Sequence, residues 1–159
     1  MTISTRLNSF LSLHKVSYEV IDHETSSSSV GSALKADVPL NEIAKAVILE
    51  NHEGRKLMAV LPANNKISLS RLNEDLMGDY HLVKEGEIRH MFQDCEIGAI
   101  PPIGYAFNVN VVFDDKLEEL SYVYIEAGDH ESLLKLSATD FIQLMRSAKH
   151  SRFSHEVYH

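Results

Sequence analysis

The sequence predicts an α+β (mixed α/β) chain: a single compact domain with a curved mixed β-sheet flanked by helices. Three observations point there. Short apolar, partly β-branched runs such as Ile43-Ala44-Lys45-Ala46-Val47-Ile48-Leu49 read as strands buried on both faces. Segments of near-helical apolar spacing, several opened by serine, lie between such runs. The two kinds of element do not alternate regularly, which argues against a doubly wound parallel sheet.

Taken in order, Ile3, Leu7, Phe10, Leu11 and Leu13 predict an amphipathic helix over 3–14. Ser17 to Asp22 alternates as a strand. Thr25 and the serines at 26–29 form a polar turn able to cap a helix over roughly 28–37; the run lacks the glycines and lysine of a phosphate-binding P-loop. The strand carrying Lys45 leads through the turn Asn51-His52-Glu53-Gly54 into a returning strand, Lys56 to Leu61. Ser68 or Ser70 caps a helix to about Met77, residues 80–83 form a short strand, and Lys84 to Phe92 another helix. Asn108 to Phe113, Ser121 to Glu126 and Leu133 to Leu136 are further strands. Ser137 caps a last helix with Phe141, Leu144 and Met145 facing inward. Residues 1–146 make up the domain, and 147–159 read as an exposed polar C-terminal tail.

Composition narrows the function classes. The 159 residues fit one domain, and a hydrophobic content of 44% supplies an ordinary core. Apolar runs fall far short of a membrane span, and Met1 to Arg6 lacks a basic region followed by an apolar signal core. A cytoplasmic protein without membrane association is expected. The single cysteine, Cys95, excludes an internal disulfide and fits a reducing compartment. The net charge of −8 argues against wholesale coating of a phosphate backbone, but leaves room for a local rim that holds one end of a nucleic acid.

Lys45 is the most informative residue. Lysine is rarely fully buried without a partner, so its stem either snorkels to water or its ammonium points into a pocket that uses the charge. Gly98-Ala99-Ile100-Pro101-Pro102-Ile103-Gly104 forms a stiff loop. Two prolines fix φ and remove donors, and the glycines permit close approach. It reads either as a rigid turn or as a pocket wall of backbone dipoles. Glu126-Ala127-Gly128-Asp129-His130 ends a strand in a glycine turn and leaves His130 in a strand-end loop. His155-Glu156-Val157-Tyr158-His159 matches the zinc-protease pattern H-E-x-x-H, but its second histidine ends the chain and no third ligand is evident, so no metal is expected. Cys95 has no nucleophile elbow around it and reads as a small apolar residue.

Lys45 in its apolar strand, Met58-Ala59-Val60-Leu61-Pro62-Ala63, the Gly98-to-Pro102 loop and Glu126-Ala127-Gly128-Asp129-His130 occur in an order that resembles the YbaK/prolyl-tRNA synthetase-associated editing domain family. The resemblance runs from about residue 18 to 145. It implies a fold like that of these domains and a free-standing deacylase that hydrolyses the ester of a mischarged tRNA. Alanine, serine, threonine and cysteine are the amino acids it allows. It further implies Lys45 and Gly98 as catalytic residues, and Pro101, Pro102, Gly128 and His130 as substrate-binding residues, with no cofactor. The implied partner is the CCA end and acceptor stem of tRNA, with an aminoacyl-tRNA synthetase as a second. Lys15, Lys35, Lys66 and Arg71 are candidate rim cations. The competing reading is a non-catalytic module of the same fold that binds a tRNA end, a nucleotide or a synthetase.

Overall fold

The computed structural model describes residues 3–26 and 28–157. Helix α1 (Thr5–Leu13) opens on Ser4, whose hydroxyl accepts from the Leu7 N–H at 3.3 Å, and it buries Leu7 and Leu11. Strand β1 (Glu19–Asp22) and helix α2 (Ser29–Ala36) follow, the helix capped by Ser28 accepting from the Gly31 N–H at 3.1 Å. Strands β2 (Ile43–Glu50) and β3 (Lys56–Pro62) form the expected hairpin, with Lys45 opposite Leu61. Next come β4 (Asn65–Ile67), α3 (Leu69–Leu76), β5 (His81–Leu82) and α4 (Glu85–Met91). Ser68 rather than Ser70 caps α3, accepting from the Arg71 N–H at 3.4 Å. The chain ends with β6 (Asn110–Asp114), β7 (Tyr122–Glu126), β8 (Ser132–Ser137), α5 (Ala138–Leu144), β9 (Lys149–Ser151) and β10 (Ser154–Glu156).

The main sheet is mixed, in the order β1-β8-β7-β2-β3-β6-β9. β2 is antiparallel to β3 and parallel to β7, and β3 is parallel to β6. One face carries the largest core, where Met58, Val60 and Val111 meet Leu7 and Leu11 of α1 together with Phe92, Ile103 and Phe107. The other face packs Leu49, Ala59 and Leu61 against Leu72 of α3 and Phe153. A third cluster, Ala33, Ile43, Ala63 and Leu133, sits where α2 covers the sheet. Among the described residues, no helix is long and apolar enough to cross a membrane.

Residues 147–157 are not an exposed tail. β9 extends the main sheet beside β6, and β10 pairs with β4. Phe153 between them is fully buried. Asp114 anchors the segment: its carboxylate accepts from the N–H groups of Phe153 and Ser154 at 3.2 and 3.0 Å and from the Ser154 hydroxyl at 2.6 Å. Strands this short gain little from propensity, so the driving force is the burial of one phenylalanine plus these charge-assisted bonds.

A candidate active site at a gap in the sheet

The cleft arises from how β2 finds its neighbours. On one edge it pairs with β7 only at Ile43 and Ala44, and with β5 only at Leu49 and Glu50. Between them, Lys45 to Val47 have no strand partner on that edge among the described residues. β7 stops at Glu126, where the chain turns away through Gly128. The gap opens into a cleft of about 480 Å³, within the range of small-ligand sites. Its walls are largely apolar, among them Ala46, Val83, Ile88, Ile97 and Ile100. Val30 and Leu82 stand at its rim, 44% and 56% exposed.

Lys45 lines this cleft. It is half-buried, and its ammonium donates to the Ala63 carbonyl at 3.5 Å. Burial lowers its pKa from the ordinary 10.5, and no carboxylate among the described residues forms an ion pair with it.

Gly98 lines the same cleft and is exposed, with φ of +85°, a conformation that a side chain would strain. Its loop is held from behind. The His130 ring, buried and itself at φ +57°, hydrogen-bonds through Nε2 to the Ile97 carbonyl. The Asp129 carboxylate fixes that turn by accepting from the N–H groups of Glu131 and Ser132, each at 3.0 Å. Glu96 N–H donates to the Gly128 carbonyl at 2.7 Å. Gly128 has φ of +107°, and a Cβ there would lie 3.2 Å from Ser4 Cβ and 3.3 Å from Cys95 Sγ. These contacts couple the loop to α1, whose Arg6 and Ser4 grip Asp94 at 2.6 and 2.5 Å. Burial opposes ionisation of Asp94, but the Arg6 and Ser4 bonds outweigh it and hold the carboxyl well below its usual range.

The expected site residues therefore divide. Lys45 and Gly98 share the cleft. Pro101 and Pro102 are buried, and neither is among the cleft-lining residues; burial suits residues that carry no N–H to leave unpaired. Gly128 and His130 also lie outside the cleft, in the layer that holds the Gly98 loop. None of Lys15, Lys35, Lys66 and Arg71 lines the cleft, and Lys35 pairs with Glu24 at 3.3 Å. Cys95 lines a separate hollow beside Asp94, and burial pushes its thiol up to about 12, so it is a poor nucleophile at neutral pH. His155 and Glu156 lie in β10, where successive side chains alternate between faces, so they are not on the helix that H-E-x-x-H chemistry requires; His159 lies outside the described residues. Within 4.8 Å, the ligand-type neighbours of His150 are Asp115 and Glu118, a surface group that does not include His155.

The sequence reading missed Glu126. Its pairing follows from the register: Ala44 lies beside Ile125, so Lys45 and Glu126 are the next residues on their strands. Glu126 is 2% exposed and lines the cleft. Burial, with a smaller push from Asp129, raises its carboxyl to about 7, against a lowering influence from the Ser32 hydroxyl. Ser32 is itself engaged with Ser26 at 2.7 Å, and neither Glu126 oxygen has a hydrogen-bond partner among the described residues. The available signal was a charge that follows Val123-Tyr124-Ile125 without a turn residue before it.

The cleft thus combines apolar walls, one cation, one buried carboxyl and a glycine-turned backbone segment, in a volume typical of small-ligand sites. The comparison with known families places the chain in one of them. The aminoacyl-tRNA editing domain model matches residues 23–144, and the chain belongs to that family. No curated protein sequence matches the chain. In fold it is similar to the hypothetical protein APE2540, at 18% identity and a TM-score of 0.83, over 94% of this chain and 99% of that one. It is also similar to a candidate trans-editing enzyme for prolyl tRNA synthetase, at 16% identity and a TM-score of 0.79, over 96% of each chain. A candidate signal transduction protein from Marinobacter aquaeolei VT8 shares the fold in 27% of its length, covering 86% of this chain at 22% identity and a TM-score of 0.68.

Proposed function

We propose that the chain is a trans-acting aminoacyl-tRNA deacylase that hydrolyses tRNA mischarged with a small amino acid: alanine, serine, threonine or cysteine. The observation that carries this reading is the Lys45 ammonium, without a carboxylate partner among the described residues, in a cleft that also presents Gly98. Family membership and a fold neighbour of similar length described as a trans-editing enzyme support it.

An aminoacyl-tRNA ester is already activated, so hydrolysis needs a positioned water and stabilisation of a developing oxyanion. Water adds to the ester carbonyl, the acyl C–O bond breaks, and the ribose oxygen leaves with a proton. Lys45 holds the terminal phosphate or the developing negative charge. The Gly98 backbone lies against the ester, and the His130–Ile97 contact keeps that backbone in place. The apolar rim at Val30 and Leu82 suits the face of the terminal base. Selectivity comes from the size of the cleft, because a single methylene is worth only about 1–3 kcal/mol. Binding confined to the CCA end and acceptor stem is compatible with a chain of net charge −8.

The test is a deacylation assay over tRNAs charged with each of the four amino acids, beside correctly charged controls. Release of one or more of them at rates well above spontaneous hydrolysis supports the deacylase. Tight binding of the tRNA end without release would instead favour a non-catalytic module.

A further inference from the structure

Glu126 is a buried acid that the proposed hydrolysis does not use. Its carboxyl sits at the floor of the Lys45 cleft, 2% exposed, with both oxygens unpartnered among the described residues. A buried polar group without a partner costs stability, so its retention calls for a reason. On the β2 side, Lys45 is the residue one step beyond the last β2–β7 pair, yet the two form no ion pair. The lysine turns to the Ala63 carbonyl instead, which leaves the carboxyl without a cation, beside the Ser32 hydroxyl in a largely apolar cleft.

The group that fits such a carboxyl is a compact cation with several N–H donors. An aminoacyl ester carries one such group, the α-ammonium, two bonds from the carbonyl under attack. We propose that Glu126 binds the α-ammonium of the aminoacyl group, so that the cleft reads a free amino acid ester rather than any small acyl ester. This deepens the deacylase reading and rests on it. Lys45 and Glu126 then serve opposite ends of the substrate: the cation faces phosphate or oxyanion, and the carboxylate faces ammonium. Glu126 is a substrate-binding residue on this view and takes no proton from water.

The test compares wild type with Glu126→Gln, which keeps shape and removes the charge. Two pairs of probes are used. The first is alanyl-tRNA against N-acetylalanyl-tRNA in single-turnover deacylation. The second is a non-hydrolysable amide, 3′-alanylamino-3′-deoxyadenosine, against its propionyl counterpart, which lacks the amine, in a binding titration. Wild type is expected to prefer the free amine in both pairs, by about 10- to 100-fold, the range of a charge-assisted hydrogen bond. Glu126→Gln is expected to lose that preference while handling the amine-free probes as wild type does. A variant that slows free and acetylated substrates equally would overturn the proposal, and so would a wild type indifferent to the amine. Absence of deacylation by wild type on every charged tRNA would overturn the deacylase reading instead, and the binding pair would still judge Glu126. Circular dichroism confirms that the variant is folded at the assay temperature.

Discussion

Removing the charge of Glu126 should stabilise the protein increasingly as pH rises above about 4.5, where the unfolded chain's carboxyl releases its proton and the native one does not. The folded-state pKa is raised from 4.5 to about 7, chiefly by burial. The native state therefore holds a proton over a pH range in which the unfolded chain has released it. Stability falls as pH rises from about 4.5 to 7 and is level beyond that. At about 1.4 kcal/mol per tenfold, the full cost at pH 8 is up to about 3 kcal/mol. For a chain of this size, 1 kcal/mol moves the melting midpoint by about 2–4 °C, so the ceiling is roughly 6–12 °C. Glu126→Gln carries no such cost. Its amide brings its own unsatisfied donors, but that penalty does not change with pH. Urea denaturation of both proteins at pH 4.5, 5.5, 6.5, 7.5 and 8.5 gives the difference in unfolding free energy at each pH. Groups common to both, Asp94 among them, cancel in that difference. The variant's advantage should grow between pH 4.5 and 7 and then level off. A difference that stays flat across the series, or that grows toward acid, would refute the claim that burial raises the Glu126 pKa in the native state.

Other predictions follow from the same geometry. Lys45→Met should lower single-turnover deacylation by about 100-fold or more while moving stability by less than about 1 kcal/mol, because the stem's packing survives and one 3.5 Å bond is lost; an unchanged rate would remove Lys45 from the chemistry. Phe153→Ala should cost about 3–5 kcal/mol in urea denaturation, and deletion after Arg146 should be at least as damaging, since both strip the face that β9 and β10 complete. A thermal midpoint close to wild type in the deletion would make that segment dispensable. Cys95→Ser should leave deacylation per folded molecule intact, and iodoacetamide should react with native Cys95 far more slowly than with a free thiol at pH 8, since burial holds the thiol near 12.

The parts of the fold legible in the sequence are those whose signal is local. The Lys45 strand carries its own apolar run, the hairpin its Asn51-to-Gly54 turn, and α3 and α5 their capping serines at 68 and 137. β4, β9 and β10 are three residues each and mostly polar, so nothing in their own side chains favours a strand. Their pairing is imposed from outside, by Asp114 and by the hole that Phe153 fills. Phe153, a large apolar ring in the polar stretch after 146, was the available clue, and burial of a single large ring can outweigh a polar context.

The candidate site divides along the same line. Lys45 and Gly98 are visible because each breaks a local rule: a charge inside an apolar strand, and a glycine in a proline-stiffened loop. Glu126 breaks a rule that only the tertiary structure states. By alternation it shares a face with Tyr122 and Tyr124, which are partly or largely exposed, so a strand pattern sends it toward water. α2 crosses that face, bringing Ser32 and Ala33 over the strand end, and turns an exposed position into a buried one. His130 shows the converse. Its place after a glycine in a strand-end loop resembles that of a ligand-contacting side chain, yet its ring is committed to the Ile97 carbonyl and acts on the cleft through the backbone of the Gly98 loop. The gap in the sheet unites these residues. β7 releases β2 after Ala44, and β5 does not take it up until Leu49, so one lysine on an otherwise buried strand meets an open edge. Had β7 continued for two more paired residues past Ala44, Lys45 would have lain beside a strand rather than a cleft. The Gly128 turn that ends β7 is thus a condition for the site as much as the lysine is.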